Sequence, residues 1–289
     1  MNIKKVLNRS IYLMLAIITL SSLGSCQSDF EDNGLSDPNI DPSFTITPVQ
    51  GEPNKFTFTT LTKDAVGSKW DLDDEAGMNF GPLIQTLFFP DAGAYTIQHE
   101  VIGRGGIVKS ATQSLVVATS DPVSGNILKG GKLVNEADWA QWTITNPSAT
   151  GASIVFGNKY ALLTANGWAG NGMYQAISVV AGKKYKIDMV TSSTTGCSNT
   201  WFEVYCGYSA PVPGTDYSEG GKLRALSTWD GCATAPFSGK ISAVGCKPEN
   251  NLGIFTATTT GTAYLVIRGG GDDMKSGIKF QNIEMRPTL

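Results

Sequence analysis

Apolar and polar residues alternate along most of the chain that follows residue 43. In Phe44–Thr47 and Lys55–Thr59 every second residue is apolar, which is the period of a β-strand with one buried face. The alternation returns in the second half, where the predicted strands are Ser153–Gly157, Tyr160–Thr164, Met173–Val180, Lys184–Val190, Trp201–Tyr208, Ile254–Thr258, Thr262–Arg268 and Ile278–Met285. No segment there keeps a helical period over a dozen residues. The pattern predicts an all-β protein.

Composition supports short strands joined by turns and narrows the function. The 289 residues include 33 glycines, and only 16% are charged. A formal charge of -3 argues against a nucleic-acid binder, which needs a basic face. With a single histidine, His99, the chain has no multi-histidine metal site, and a Ser-His-Asp hydrolase is disfavoured.

The first residues have the features of an export signal. Lys4, Lys5 and Arg9 precede an apolar run, Ile11–Leu20, that is too short to span a bilayer and fits a secretory signal peptide. Leu23-Gly24-Ser25-Cys26 resembles a bacterial lipobox, which implies cleavage after residue 25 and lipidation of Cys26. The alternative is an ordinary signal peptide followed by an unrelated cysteine.

The residues after Cys26 indicate where the anchored protein would lie. The acidic cluster Asp29-Phe30-Glu31-Asp32 resembles the surface-export signal of Bacteroidetes lipoproteins, which implies an outer-membrane lipid anchor facing the cell exterior. Cleavage would leave 19 basic and 25 acidic residues, a formal charge of -6. We read residues 26–40 as a flexible acidic tether, which leads into domains at 41–119 and 120–289.

The first of these domains resembles a PKD (polycystic kidney disease) domain, an immunoglobulin-like sandwich. Trp70-Asp71 and the Pro90–Tyr95 stretch match the family pattern, which implies that Trp70 and Tyr95 form the core. Asp73-Asp74-Glu75 and Leu87-Phe88-Phe89 depart from it. We expect His99 to be a structural strand histidine, and the acidic turn at 71–75 to be solvated rather than a calcium site.

The second domain resembles jelly-roll carbohydrate-binding modules of families four, nine and twenty-two. Gln175-Ala176-Ile177-Ser178-Val179, followed by Ala181-Gly182-Lys183-Lys184-Tyr185, is the most specific part of the match. Gln281-Asn282 stands where that family has an Asp that helps to hold a structural calcium, so we expect no cofactor. We assign Trp139 and Trp142 to the core.

Strand parity separates a core row from a candidate ligand face. Phe202, Val204 and Cys206 point one way and Trp201, Glu203 and Tyr205 the other, because side chains alternate along a strand. Sugars stack their C–H faces on Trp and Tyr and need charged or amide partners for their hydroxyls. The predicted glycan-binding residues are those three outward residues together with Arg268 of the last-but-one strand and two loop tryptophans, Trp168 and Trp229. For each aromatic, structural packing is the competing interpretation.

The cysteines do not form a zinc pattern. Four remain after lipidation, namely Cys197, Cys206, Cys232 and Cys246. Outside the cytoplasm they allow three full disulfide pairings, among which the sequence does not choose. Cys206, on the core row, can also be a buried thiol.

Three functions fit these features. The resemblances imply a non-catalytic surface lipoprotein that binds a neutral polysaccharide, for which we expect a β-glucan of laminarin type, beside a TonB-dependent outer-membrane transporter. An adhesin or assembly protein that binds another protein is the alternative, and a glycoside hydrolase accessory protein is the third. A hydrolase would need two carboxylates about 5–10 Å apart. Glu203, Asp272 and Asp273 are candidates, but the sequence does not fix their geometry.

Overall fold

A computed structural model describes residues 39–62, 65–74, 76–246 and 253–288 of the chain. The predicted export signal, Cys26 and the acidic cluster lie outside these residues. In the part that is described, strands dominate and helix is limited to single turns, so the all-β prediction is confirmed. The described residues contain no helix long and apolar enough to cross a membrane.

Seven strands from the first half form two small sheets. They are β1 Phe44–Pro48, β2 Lys55–Thr60, β3 Gly67–Asp71, β4 Asn79–Gly81, β5 Ile84–Phe88, β6 Gly93–Ile102 and β7 Val108–Val117. One sheet has the order β1-β2-β5 and the other β4-β3-β6-β7. All pairings of β3 with β4 and β6 are antiparallel.

Aromatic side chains form the core of this part. Trp70 and Tyr95 are buried, as predicted. Trp70 stacks on His99 with ring centroids 4.0 Å apart. The His99 ring is enclosed, with Nδ1 2.8 Å from the Pro42 carbonyl and Nε2 3.0 Å from the Thr60 hydroxyl. Burial lowers the pKa of His99, and the prediction of a structural histidine is confirmed.

The acidic turn uses its carboxylates to cap backbone amides. Asp71 accepts from the amide of Asp73 and Asp74 from that of Ala76. Among the residues described, no group of three or more His, Cys, Asp or Glu side chains is placed to hold a metal ion.

The second half contains ten strands. They are β8 Thr143–Ile144, β9 Ala152–Gly157, β10 Tyr160–Val179, β11 Lys184–Ser193, β12 Ser198–Gly207, β13 Arg224–Ser227, β14 Phe237–Lys240, β15 Ile254–Thr256, β16 Gly261–Asp273 and β17 Ile278–Pro287. Two single helical turns, α1 Glu136–Trp139 and α2 Ile241–Val244, accompany them. The strand path is β13-β12-β16-β10-β17-β11-β14; β8 and β9 pair with β10, and β15 pairs with β11.

The long strand β10 connects the two layers of a β-sandwich. Its first part pairs with β9 and β17, and its second part with β8 and β16, with a register shift between Asn166 and Ala169. Buried residues of both parts belong to one core, in which the rings of Phe202 and Phe280 lie 5.4 Å apart. Trp142 is buried in this core and Trp139 packs against it, as predicted.

The chain divides into two compact units. The first takes in the described residues up to Thr47 together with Thr57–Leu87 and Tyr95–Leu115, and the second takes in Pro48–Phe56, Phe88–Ala94 and Val116–Leu289. The domain boundaries at 41–119 and 120–289 stay a prediction.

Candidate functional site

The side-chain rows of β12 face as the sequence predicts. Phe202, Val204 and Cys206 are fully buried in the core. Trp201 and Glu203 lie on the opposite, outer face, where Glu203 is paired with Arg268 of β16 in the strand register. The structure therefore brings the predicted polar and aromatic residues of this face together.

Tyr205 is not the exposed platform that its parity indicates. Its side chain is only 4% exposed, because residues 208–222, which we call the covering loop, pass over this part of the sheet. Tyr217 of the loop packs edge-on against Tyr205, with centroids 6.4 Å apart, and Val266 completes the cluster. The amide of Gly214 donates to the carbonyl of Thr145, which ties the loop to the residue that follows β8, beyond β16 and β10 in the sheet. The expected exposure of Tyr205 is wrong, and its role in binding stays a prediction.

A charged cluster lies beneath the covering loop. The Arg268 guanidinium carbon is 4.8 Å from the ring centroid of Trp201 and 5.1 Å from that of Tyr205. Arg268 Nη2 donates to Glu203 at 3.1 Å, and both side chains are 13% exposed. Asp216 lies 2.8 Å from Nη1, but out of line for a hydrogen bond. The guanidinium is thus held between two rings and paired with a largely buried carboxylate.

Hydrogen bonding to this cluster affects the Tyr205 phenol. Its hydroxyl donates to Glu203 at 2.7 Å. Burial, together with the neighbouring Glu203 carboxylate, raises the pKa of Tyr205 to about 12. Because the folded-state pKa lies above the ordinary value, the neutral phenol contributes stability below about pH 10 that is lost as the pH rises towards 12.

The six-membered ring of the Trp201 indole packs against glycine backbone. A β-carbon placed on Gly270 would come within 2.8 Å of the Trp201 ring, and one on Gly170 within 3.4 Å. Gly170 and Gly270 are register partners on β10 and β16. Trp201 is half-buried by this packing and by Arg268, so only part of its surface is open.

Two tryptophans remain strongly exposed. Trp168 is 65% and Trp229 is 55% exposed. Although they are far apart in sequence, their rings stack, with centroids 6.3 Å apart and planes inclined by 19°. Their segments meet at the end of the sheet where Thr200 of β12 and Ala169 of β10 both pair with Gly271. We call this the tryptophan pair.

The backbone at Trp168 adopts a conformation that bulky residues avoid. Its φ is +66°, next to Gly167 at +59°, within the register shift of β10. A left-handed conformation at a non-glycine residue costs of order 1–3 kcal/mol, and such residues concentrate at functional sites. The exposed position of the Trp168 indole is therefore accompanied by strain in its backbone.

A cleft lies elsewhere in the second unit, among residues that the sequence did not predict as a site. Its volume is about 730 Å³, and its walls include Lys129, Gln141, Tyr174 and Tyr264. The two tyrosine rings meet edge-on with centroids 6.0 Å apart. The only sequence signal for it is that Tyr264 shares a strand face with Arg268. We call it the Tyr264 cleft.

The cysteines divide into one disulfide and two thiols. Cys232 and Cys246 are bonded, while Cys197 and Cys206 are free and buried. The prediction that Cys206 is a buried thiol is confirmed, and burial raises its pKa to about 12. Each full pairing of the four cysteines would need two disulfides, and these cysteines form only one.

Comparison with known proteins gives weak structural likenesses. No protein-family model and no curated protein matches the sequence. A solved structure from work on the promiscuous specificity of carbohydrate-binding modules of the β-sandwich superfamily is 14% identical, covers 84% of this chain and 96% of its own, and has a TM-score of 0.30.

Two further structures show the same level of similarity. One, described as "CBM4 structure and function", is 13% identical and covers 56% of this chain and 99% of its own, with a TM-score of 0.33. A Stig cyclase from Fischerella sp. TAU is 13% identical and covers 57% of this chain and 98% of its own, with a TM-score of 0.35. Identities and TM-scores this low assign no function to this chain.

Proposed function

We propose that this protein binds a neutral polysaccharide, without catalysis, on the tryptophan pair of its second unit. The observation that carries the proposal is the exposed stack of Trp168 and Trp229, one of them held in a strained backbone conformation. Contiguous apolar surface that is left exposed marks interaction sites in soluble proteins. Indole faces are the surfaces on which the C–H faces of sugar rings stack.

The charged cluster supports binding rather than catalysis. Glu203, the candidate acid of the sequence analysis, is engaged by Arg268, by the Tyr205 hydroxyl and by Lys222 at 3.5 Å. A general acid has to reach the leaving group of its substrate with a free carboxyl. We propose instead that the Arg268 cluster is the rigid floor on which Trp201 is held beside the tryptophan pair.

The negative formal charge of the protein favours a neutral ligand. The chain after residue 25 has a formal charge of -6, which repels sulfated or uronate-rich chains. We propose a β-glucan of laminarin type as this neutral ligand, as the resemblance to carbohydrate-binding modules implies. We also propose that it is presented to an outer-membrane TonB-dependent transporter, as the resemblance of the N-terminal residues to surface lipoproteins implies.

The proposed lipid anchor rests on the N-terminal residues up to Cys26. We propose that the mature chain begins at Cys26, carries lipid there and faces the cell exterior. Intact-mass measurement of the protein from membranes should give a lipidated chain starting at residue 26, and Cys26→Ala should move it to the soluble fraction. A chain that begins elsewhere, or an alanine variant that stays in the membrane, contradicts the anchor.

Binding can be assigned to the tryptophan pair or to the Tyr264 cleft with two variants. Trp229→Ala removes exposed aromatic area, so we expect the affinity for laminarin to fall about tenfold to hundredfold, equivalent to about 1–3 kcal/mol. Tyr264→Ala, the matched control, removes an aromatic ring from the cleft and should leave the affinity within about twofold. Affinity gels and calorimetry with laminarin, xylan, mannan and mixed-linkage glucan supply the measurements.

Two other results of this experiment would contradict the proposal. If Tyr264→Ala abolishes binding and Trp229→Ala does not, the site is the Tyr264 cleft. If the wild-type protein binds none of the four polysaccharides, the proposed ligand class is wrong.

A further inference from the structure

The turn that carries Trp229 is closed by backbone hydrogen bonds at its base. The amides of Asp230 and Cys232 both donate to the Ser227 carbonyl, at 3.2 Å each. Trp229 is 55% exposed, and its ring stacks on that of Trp168, which is 65% exposed. The position of the ring therefore depends on how the two ends of the turn are fixed.

The first end is fixed by hydrogen bonds to β12. Thr228 donates its amide to the Thr200 carbonyl at 3.0 Å, and its hydroxyl oxygen accepts from the Thr200 amide at 2.9 Å. The end of the turn towards residue 228 is thus held to the neighbouring strand.

The second end is fixed by the disulfide. Cys232 is bonded to Cys246, whose amide donates to the Ala225 carbonyl of β13 at 2.8 Å. The Ser227 amide lies 3.1 Å from the Cys232 sulfur and 3.2 Å from the Cys246 sulfur. The disulfide therefore attaches the far end of the turn to the strand from which the turn starts.

We propose that the Cys232–Cys246 disulfide is a positioning element that holds Trp229 against Trp168, and so pre-organises the ligand surface. This inference rests on the proposed function for its binding consequence, but the ring geometry can be measured without any ligand. A side chain that becomes ordered only on binding loses conformational entropy at that step, so a loosened Trp229 should bind more weakly.

The test is the double variant Cys232→Ala/Cys246→Ala in the full chain. We expect a folded protein whose stacked-indole signal in circular dichroism is largely lost, with laminarin affinity lowered about threefold to tenfold. Trp168→Asn supplies the reference spectrum without the pair. The core variant Ile187→Val is the matched control, because it lowers stability while leaving the disulfide intact, and it should keep both the signal and the affinity.

The outcomes separate the positioning role from simple stabilisation. If the double variant loses stability but keeps the stacked-indole signal and the affinity, the proposal is overturned. If wild-type protein binds no polysaccharide but the signal still depends on the disulfide, the positioning holds and the proposed function fails. Should the double variant not fold, Cys232→Ala/Cys246→Val, which fills more of the vacated volume, is measured in the same way.

Discussion

Trp168→Asn should weaken laminarin binding about tenfold to hundredfold, while the free energy of unfolding stays within about 1 kcal/mol of wild type. The variant removes half of the tryptophan pair, and with it the stacking surface. Two opposed effects keep the stability nearly constant. Losing an exposed aromatic stack costs about 0.5–1.5 kcal/mol, whereas Asn relieves strain because it tolerates the left-handed conformation at φ +66°.

A buried tryptophan of the same unit provides the matched control. Trp142 is 6% exposed in the core, so Trp142→Ala should cost about 3–5 kcal/mol of folding free energy. Urea unfolding and calorimetric titration of both variants give the comparison. If Trp168→Asn loses as much stability as Trp142→Ala, the indole is a packing residue. Unchanged binding would remove the tryptophan pair from the site.

The sequence predicts the rows of the sheet well because strand side chains alternate strictly. The buried rows containing Phe202 of β12 and Leu265 of β16 follow from local order alone. The strand bounds are less accurate, since Tyr160–Thr164 and Met173–Val180 turn out to be parts of one strand, β10. The strand β13 was missed because four residues without alternation give no periodic signal.

The site depends on contacts that local sequence does not encode. Tyr205 is buried because the covering loop reaches the Thr145 side of the sheet, a contact between distant segments. The stacking of Trp168 on Trp229 likewise needs the packed fold. The sequence does show a tryptophan beside glycine in each of two predicted loops, where neither has an evident reason to be buried. The prediction of a loop at Trp168 is wrong, because that residue lies within β10 at its register shift.

Glu203→Ala should be strongly destabilising, by about 3 kcal/mol, since it leaves Arg268 largely buried between two rings without its main carboxylate partner. Removing that carboxylate should also lower the pKa of Tyr205 from about 12, because Glu203 accepts the hydrogen bond of the phenol and opposes its ionisation. Unfolding in urea and ultraviolet titration of tyrosine measure the two effects.

The other carboxylate beside Arg268 supplies the control for this prediction. Asp216 is 69% exposed, so Asp216→Ala should cost less than about 1 kcal/mol, as expected for a solvent-exposed ion pair. If both variants lose a similarly small free energy of unfolding, the Glu203–Arg268 pair does not hold the floor of the site. If Glu203→Ala keeps its stability but loses laminarin binding, Glu203 contacts the ligand directly, and the site extends from the tryptophan pair beneath the covering loop.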